Sequence, residues 1–412
     1  MAMPAAAGAT MAGMDKPATP GPLAGLKVVE MGTLIAGPYC ARLLAEFGAE
    51  VIKIETPGEG DPLRKWRVLH EGNSLWWLAQ ARNKKSVTVN LKAPEGQQLV
   101  RDLVARADIV VENFRPGTME KWGLGYDALA SANPGLVMVR LSGFGQTGPY
   151  RDQPGFGAIG ESMGGMRYIT GYPDRAPVRV GISIGDSLAA MFGVIGALMA
   201  IHSRGSTGKG QVVDVALYEA VFAMMESMLP EYGYNGLVRE RTGSALPGIV
   251  PSNTYLCGDG KYVVIGANAD SIFKRMMRAI GRADLADDPT LADNAGRVKR
   301  TAELDRVIGE WTATVTLEEA LAVLEKAEVP SGRIFSIADI VADLHYQARG
   351  MIEKHKLGDK DLLLPGVVPK LSQTPGGTRW VGPALGEHTD EVLRGLGYDA
   401  ARIADLKARK IV

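Results

Sequence analysis

The sequence predicts an α/β fold, a parallel sheet with covering helices followed by a second, smaller domain. Short apolar runs alternate with helix-length segments from Leu26 to Leu217, and a fresh strand and helix alternation begins after a Gly-, Pro-, Ser- and Asn-rich stretch over 232–260. Lys27–Met31 reads as a buried strand, Gly37–Phe47 as a helix stopped by Gly48, and Glu50–Glu55 as the next strand, which makes a βαβ unit. Ser86–Leu91, a helix over Pro94–Ala107, then Asp108–Phe114, Leu136–Ser142 and Gln211–Leu217 continue the alternation. In the smaller domain Lys261–Gly266 reads as a strand, and Ser271–Ile280, Glu303–Trp311 and Leu317–Ala327 as helices. Thr389–Leu396 and Ala400–Ala408 supply two last helices that return to the first domain. Residues 1–21, rich in Ala, Gly, Pro and Met, read as a disordered tail without the basic start of a secretory signal or the arginines of a presequence.

Composition removes several function classes. Lys+Arg and Asp+Glu both total 46, so no charge excess points to nucleic acid or an anionic membrane, while small anionic substrates stay open. Cys40 and Cys257 are far apart and fit a reducing compartment rather than a disulfide framework. The five histidines never pair at metal-ligand spacing, so no metal is expected. No G-x-S-x-G elbow is present, and Gly32 and Gly37 after the first strand do not make the G-x-G-x-x-G of a dinucleotide site, which argues against a nicotinamide enzyme. The uncharged run Leu188–Ile201 is shorter than the roughly 20 residues of a membrane span, so a soluble, cytoplasmic protein is expected.

That run follows Gly181-Ile182-Ser183-Ile184-Gly185-Asp186-Ser187, which sets the carboxylate of Asp186 at the mouth of a helix expected to be buried. A carboxylate there caps free backbone N–H groups, and the helix dipole that holds it ionised also suits a nucleophile; both roles are open on this pattern alone. The cluster Arg82, Lys84, Lys85 reads either as a solvated turn or as a clamp for phosphate or carboxylate.

GLKVVEMGTLIAGPYCARLLAEFGAEVIKIETPGEGDPLR (25–64), NKKSVTVNLKAPEG (83–96), DIVVENFRPGTMEKWGLGY (108–126), LSGFGQTGPY (141–150), GDSLAAMFGVIGAL (185–198), TGKGQVVDVALYEAV (207–221) and GPALGEHTDEVLRGLGY (382–398) together resemble the family III CoA-transferases. That group includes formyl-CoA:oxalate and carnitine CoA-transferases, with alpha-methylacyl-CoA racemase as a related branch. The resemblance implies an interlocked homodimer whose subunits have a Rossmann-like large domain over 22–229 and 340–412 and a small domain over 230–339. It implies Asp186 as the catalytic residue, covalent transfer through an aspartyl-CoA thioester, and no permanently bound cofactor, coenzyme A being part of the substrate. Carried over position by position, CoA contacts fall on Ile35, Ala36, Asn83, Lys84, Asn113, Phe114, Lys121 and Trp122, with Lys84 and Lys121 facing phosphates.

Departures from the family bear on substrate. Ile35 stands where formyl-CoA transferase has Gln, Ser142 and Phe144 where it has Lys and Tyr, and GSALPGIVPSN (243–253) replaces its polyglycine loop, which argues against formyl transfer to oxalate. In the racemase branch a histidine occupies the position of Phe156, and without that imidazole a two-base proton transfer lacks a partner near neutral pH. Arg82, Phe156 and Arg179, with Arg175 nearby in sequence, are the candidates for the acid pocket. The expected reaction moves CoA between succinyl-CoA or a similar dicarboxyl-CoA and a C4 to C6 diacid. The alternatives are an acyl-CoA racemase or isomerase, and a CoA-binding protein without catalysis.

Overall fold

The computed structural model describes residues 20–412, so all but the last two residues of the expected tail lie outside the described residues. The chain forms two compact units, one of residues 20–164, 181–225 and 350–412, the other of residues 165–180 and 226–349. The division falls at other residues than expected: residues 165–180 belong to the second unit, which resumes at Glu226 rather than 230, and the return to the first begins at Gly350 rather than near 340.

Along the chain come β1 (Lys27–Glu30), α1 (Ala36–Glu46), β2 (Glu50–Glu55), a hairpin of β3 (Leu69–His70) and β4 (Asn73–Ser74), α2 (Leu75–Gln80), β5 (Lys84–Thr88) and α3 (Pro94–Val104). Then follow β6 (Ile109–Glu112), α4 (Thr118–Lys121), α5 (Tyr126–Ala132), β7 (Val137–Ser142), α6 (Gly157–Met163), α7 (Met166–Ile169) of the second unit, α8 (Ile184–Thr207), β8 (Val212–Ala216) and α9 (Leu217–Phe222). A strand covered on both faces needs a near-continuous apolar run. IVVE and VMVRLS supply one, and every residue of β6 and β7 is buried.

The first unit is built on a six-stranded parallel sheet in the order β5-β2-β1-β6-β7-β8. The chain winds outward from β1 in one direction, then returns to β6 and winds outward in the other. In doubly wound sheets the reversal opens a crevice at the carboxyl ends of the two central strands, where ligands bind. Here that crevice lies between the loops following β1 and β6.

The C-terminal segment covers the β5 edge. Thr389 Oγ1 accepts from Thr88 N–H at 3.1 Å, Ser86 Oγ accepts from Gly386 N–H at 2.9 Å, and the Trp380 indole donates to the Lys84 carbonyl at 3.0 Å. Val392, Leu393, Ile403 and Leu406 of the last two helices join Leu99, Val100 and Leu103 of α3 in one core.

α8 departs from expectation. Its stripe Ala189, Gly193, Ala197 and Ala200 is buried, but Met191, Ile195 and Met199 on the other side are exposed, Met199 by 67%. A Cβ at Gly193 would stand 3.2 Å from Cys40 Sγ and from side chains of Val139 and Leu141, so small residues let α8 settle onto α1 and β7. Among the described residues it is the one helix whose length and composition would allow it to cross a membrane, and one side of it is packed on the sheet.

The second unit has a three-stranded antiparallel sheet of Ser252–Leu256, Tyr262–Gly266 and Ser331–Arg333. Its core joins Val263, Ile265, Phe273, Met276 and Met277 to Leu304, Ile308 and Leu324 of the following helices.

Candidate functional site

α8 crosses from the end of β7 back to the start of β8, so its first turn lies at the carboxyl edge of the sheet. Ser183 is the N-cap, which makes Asp186 the third residue of the helix rather than its cap. An acid in the first turn is favoured by the helix dipole and by backbone N–H groups without intrahelical partners. The half-buried carboxylate lies against Gly157, the first residue of α6, so closely that a Cβ on that glycine would stand 2.7 Å from Asp186 Cγ. Phe156 precedes it as the N-cap of α6 with its side chain 69% exposed. Phe144 packs its ring on Gly155, where a Cβ would meet it at 3.0 Å, and stands 6.0 Å from Tyr150 and 6.4 Å from Tyr218.

At the crevice the loop 32–35 is held on every side. Asn113 Oδ1 accepts from Thr33 N–H at 2.7 Å and Nδ2 donates to the Thr33 carbonyl at 2.9 Å. Both oxygens of Asp61 accept from Leu34 N–H, at 3.1 and 3.2 Å, and the Lys53 ammonium donates to the Gly32 carbonyl. Leu34 has a φ of +64°, a left-handed conformation that a branched side chain adopts only when its surroundings fix it. Ile35 is then the N-cap of α1 and Ala36 its first residue.

Beneath the loop is a buried charge network. Glu30 accepts from Lys53 at 2.9 Å and from Lys84 at 2.7 Å, and Lys53 also meets Asp61 at 2.8 Å. Burial penalises both ammoniums, but the carboxylates of Asp61, Glu30 and Glu55 outweigh it for Lys53, whose pKa is raised, whereas Lys84 shares Glu30 with a second cation and is pushed down. Burial also opposes the Asp61 charge, yet Lys53 and the backbone donors Leu63 and Leu34 hold its carboxyl below the usual range.

Three residues expected to bind ligands have partners within the fold. Lys84 is fully buried, its ammonium donating to Glu30 and to the Pro38 carbonyl. Asn83 is buried and binds the C-terminal segment, donating to the Gly377 carbonyl at 2.7 Å and accepting from Arg379 N–H at 2.6 Å. Arg82 is buried with Glu46, at 2.7 Å from Nε, and donates to the Pro365 carbonyl at 2.8 Å.

Phe114 and Trp122 stand edge to face at 5.2 Å, both partly buried, and Lys121 beside them is exposed. Arg140 fixes this platform, donating to Glu112 of β6 at 2.7 Å and to Glu120 of α4 at 2.7 and 3.2 Å. Burial raises the Glu112 pKa despite Arg140. Arg175 and Arg179 are exposed in the second unit. Cys40 is fully buried, its thiol pushed up to about 12 by burial, so it is no nucleophile. No cluster of His, Cys, Asp and Glu able to hold a metal occurs among the described residues.

Gly157, Asp61 and the Arg140–Glu112 pair were not among the expected site residues. Signals for two of them exist: glycines at 157, 160 and 164 recur at helical spacing, and Asp61-Pro62 opens a short helix at the end of the first βαβ unit.

Comparison with known proteins identifies the family. A sequence model of CoA-transferase family III matches residues 23–389. The chain is 52% identical over 402 residues to a succinyl-CoA–D-citramalate CoA-transferase of Chloroflexus aurantiacus, covering 97% of this chain and 100% of that one. It is 42% identical over 406 residues to the beta subunit of a succinyl-CoA–L-malate CoA-transferase from the same organism, covering 97% and 100%. The crystal structure of a CAIB/BAIF family protein from Brucella suis superposes with a TM-score of 0.81 at 35% identity, over 92% of this chain and 100% of that one. The chain belongs to CoA-transferase family III and is a CoA-transferase.

Proposed function

We propose that the protein moves CoA from succinyl-CoA to a C4 to C6 dicarboxylate through covalent intermediates on Asp186. A 2-hydroxy diacid is favoured as acceptor, because the two Chloroflexus relatives are named for citramalate and malate. The observation that carries the mechanism is the Asp186 carboxylate, half-buried in the first turn of α8 at the carboxyl edge of the sheet.

Asp186 attacks the thioester carbonyl carbon, the C–S bond breaks and CoA leaves as thiolate, giving a mixed anhydride. The thiolate attacks Asp186 Cγ and succinate departs as its carboxylate, leaving an aspartyl-CoA thioester. The acceptor carboxylate then attacks Cγ and releases CoA thiolate, which attacks the acceptor carbonyl, forms the new thioester and regenerates Asp186. No net proton or co-reactant is consumed, and each step has an activated leaving group. Water must be kept from both intermediates.

For CoA we propose the head of α1 at Ile35 and Ala36, the Phe114–Trp122 platform and the Lys121 ammonium, with Asn113 acting through the loop it clamps. Phe156 and Arg179 remain the proposed acid-binding residues. The exposed apolar side of α8 supports an interlocked homodimer as the assembly. Two buried thiols suit a reducing cytoplasm.

The test is intact-protein mass spectrometry after incubation with succinyl-CoA, beside Asp186→Asn. A covalent adduct formed by the wild type and missing from the variant is expected, and (R)-citramalate, malate or another diacid that discharges it names the acceptor. An equal absence of adduct in both, with α-proton exchange in deuterium oxide, would replace transfer by racemase chemistry.

A further inference from the structure

The first turn of α8 and the start of α6 meet glycine on glycine. A Cβ on Gly157 would overlap the Asp186 carboxylate and stand 2.7 Å from its Cγ, and a Cβ on Gly185 would stand 2.9 Å from the Gly157 carbonyl oxygen. Neither glycine has a positive φ, so no backbone conformation calls for glycine at either position. What excludes a side chain is the neighbour itself. The same helix face continues the pattern: a Cβ on Gly160 would stand 2.8 Å from Leu217 Cβ, and one on Gly164 2.6 Å from Val221 Cβ, both on α9. α6 is thus pressed into α9 along its length and presents a bare backbone to Asp186 at its start.

We infer that Gly157 is a positioning residue for the transfer reaction: its missing side chain is the seat of the Asp186 carboxylate and sets the direction from which that carboxylate meets a thioester. This inference rests on the proposed role of Asp186 and assigns the geometry of that role to a residue on a different element. Attack on a carbonyl carbon depends steeply on approach, and a displacement of about 1 Å costs on the order of 100-fold in rate. A methyl group at residue 157 forces at least that displacement, because the main chain of α6 is already against α9.

Two measurements test it. In the first, the rate of adduct formation with succinyl-CoA is read for Gly157→Ala and for Gly196→Ala, whose Cβ would collide with the Val213 side chain of β8 about 15 Å further along α8. Gly157→Ala is expected to slow the adduct by about 100-fold with the KM for succinyl-CoA changed by less than about threefold, while Gly196→Ala loses thermal stability and keeps the rate. Equal rates for Gly157→Ala and wild type overturn the inference. The second is a thermal double-mutant cycle that needs no activity. Gly157→Ala is expected to lower the Tm of the wild type by about 1–4 °C, and to lower that of Asp186→Ala by far less, because the clashing carboxylate is gone. Equal Tm losses in the two backgrounds overturn the inference even if Gly157→Ala is too unstable to assay. A cycle that shows coupling while the wild type forms no adduct would keep the contact and reject covalent catalysis by Asp186.

Discussion

Asn113 closes a ring of hydrogen bonds with the backbone of Thr33, accepting from its N–H at 2.7 Å and donating to its carbonyl at 2.9 Å, across 80 residues of sequence. The pair bridges the loops that follow β1 and β6, the two strands between which the winding of the sheet reverses. Asn113→Ala leaves both Thr33 groups without that partner, and the loop that starts α1 loosens. The expected result is a KM for succinyl-CoA raised on the order of tenfold, from about 1–3 kcal/mol of lost hydrogen bonding, with a smaller change in kcat. Asn113→Asp, which sets a carboxylate oxygen against the Thr33 carbonyl, is expected to be at least as impaired. An unchanged KM in both variants would show that the loop holds itself.

Glu30 serves two buried ammoniums at once. Removing one partner of a buried pair strands the others, at a cost of about 3–5 kcal/mol. Glu30→Gln is therefore expected to shift the urea midpoint by more than Lys84→Met, which leaves Glu30 still paired to Lys53. The reverse order would mean that Lys84 carries the network.

The lowered pKa of Asp61 predicts an acid-sensitive step. A carboxyl whose folded pKa lies below its unfolded value of 3.8 adds stability that is fully present above that value and is lost as the pH falls through the folded pKa. Unfolding monitored from pH 5 downward should therefore fall less steeply for Asp61→Asn than for the wild type below about pH 4. Parallel curves would remove Asp61 from the acid limb.

Lys121 is the exposed cation beside the Phe114–Trp122 platform. If it meets a CoA phosphate, Lys121→Ala should raise the KM for succinyl-CoA about three- to tenfold at low salt, and the gap should narrow as ionic strength rises. A gap independent of salt would point to packing rather than charge.

The sheet was legible in the sequence because parallel strands are buried on both faces and announce themselves as apolar runs. β2 lies at its expected residues, and β1 differs by one residue at its end. Asp186 stood out in the sequence as a lone carboxylate before a long uncharged helix, a pattern that suits a cap as well as a nucleophile. The partners of Arg82 and Lys84 were not legible because Glu46 and Glu30 lie 36 and 54 residues away, and a cation's burial depends on a fold that its own neighbours do not encode. α8 misled, since an apolar helix reads as buried all round whether the second face meets this chain or another. The glycines at 157, 160 and 164 mark a close-packed helix face in the sequence, but not what Gly157 meets, because that residue lies 29 positions on.

The lacing of the β5 edge by residues 380–389 also sets a clock. Ser86 and the backbone of Gly386 are 300 residues apart, so a chain elongating at about 5–20 residues per second leaves the edge strand open for roughly 15–60 s. Through that interval its unpaired N–H and C=O groups can be matched by any other extended segment, including the same strand of a neighbouring nascent chain. Yield on expression is thus expected to depend on translation speed and temperature as well as on the stability of the finished fold.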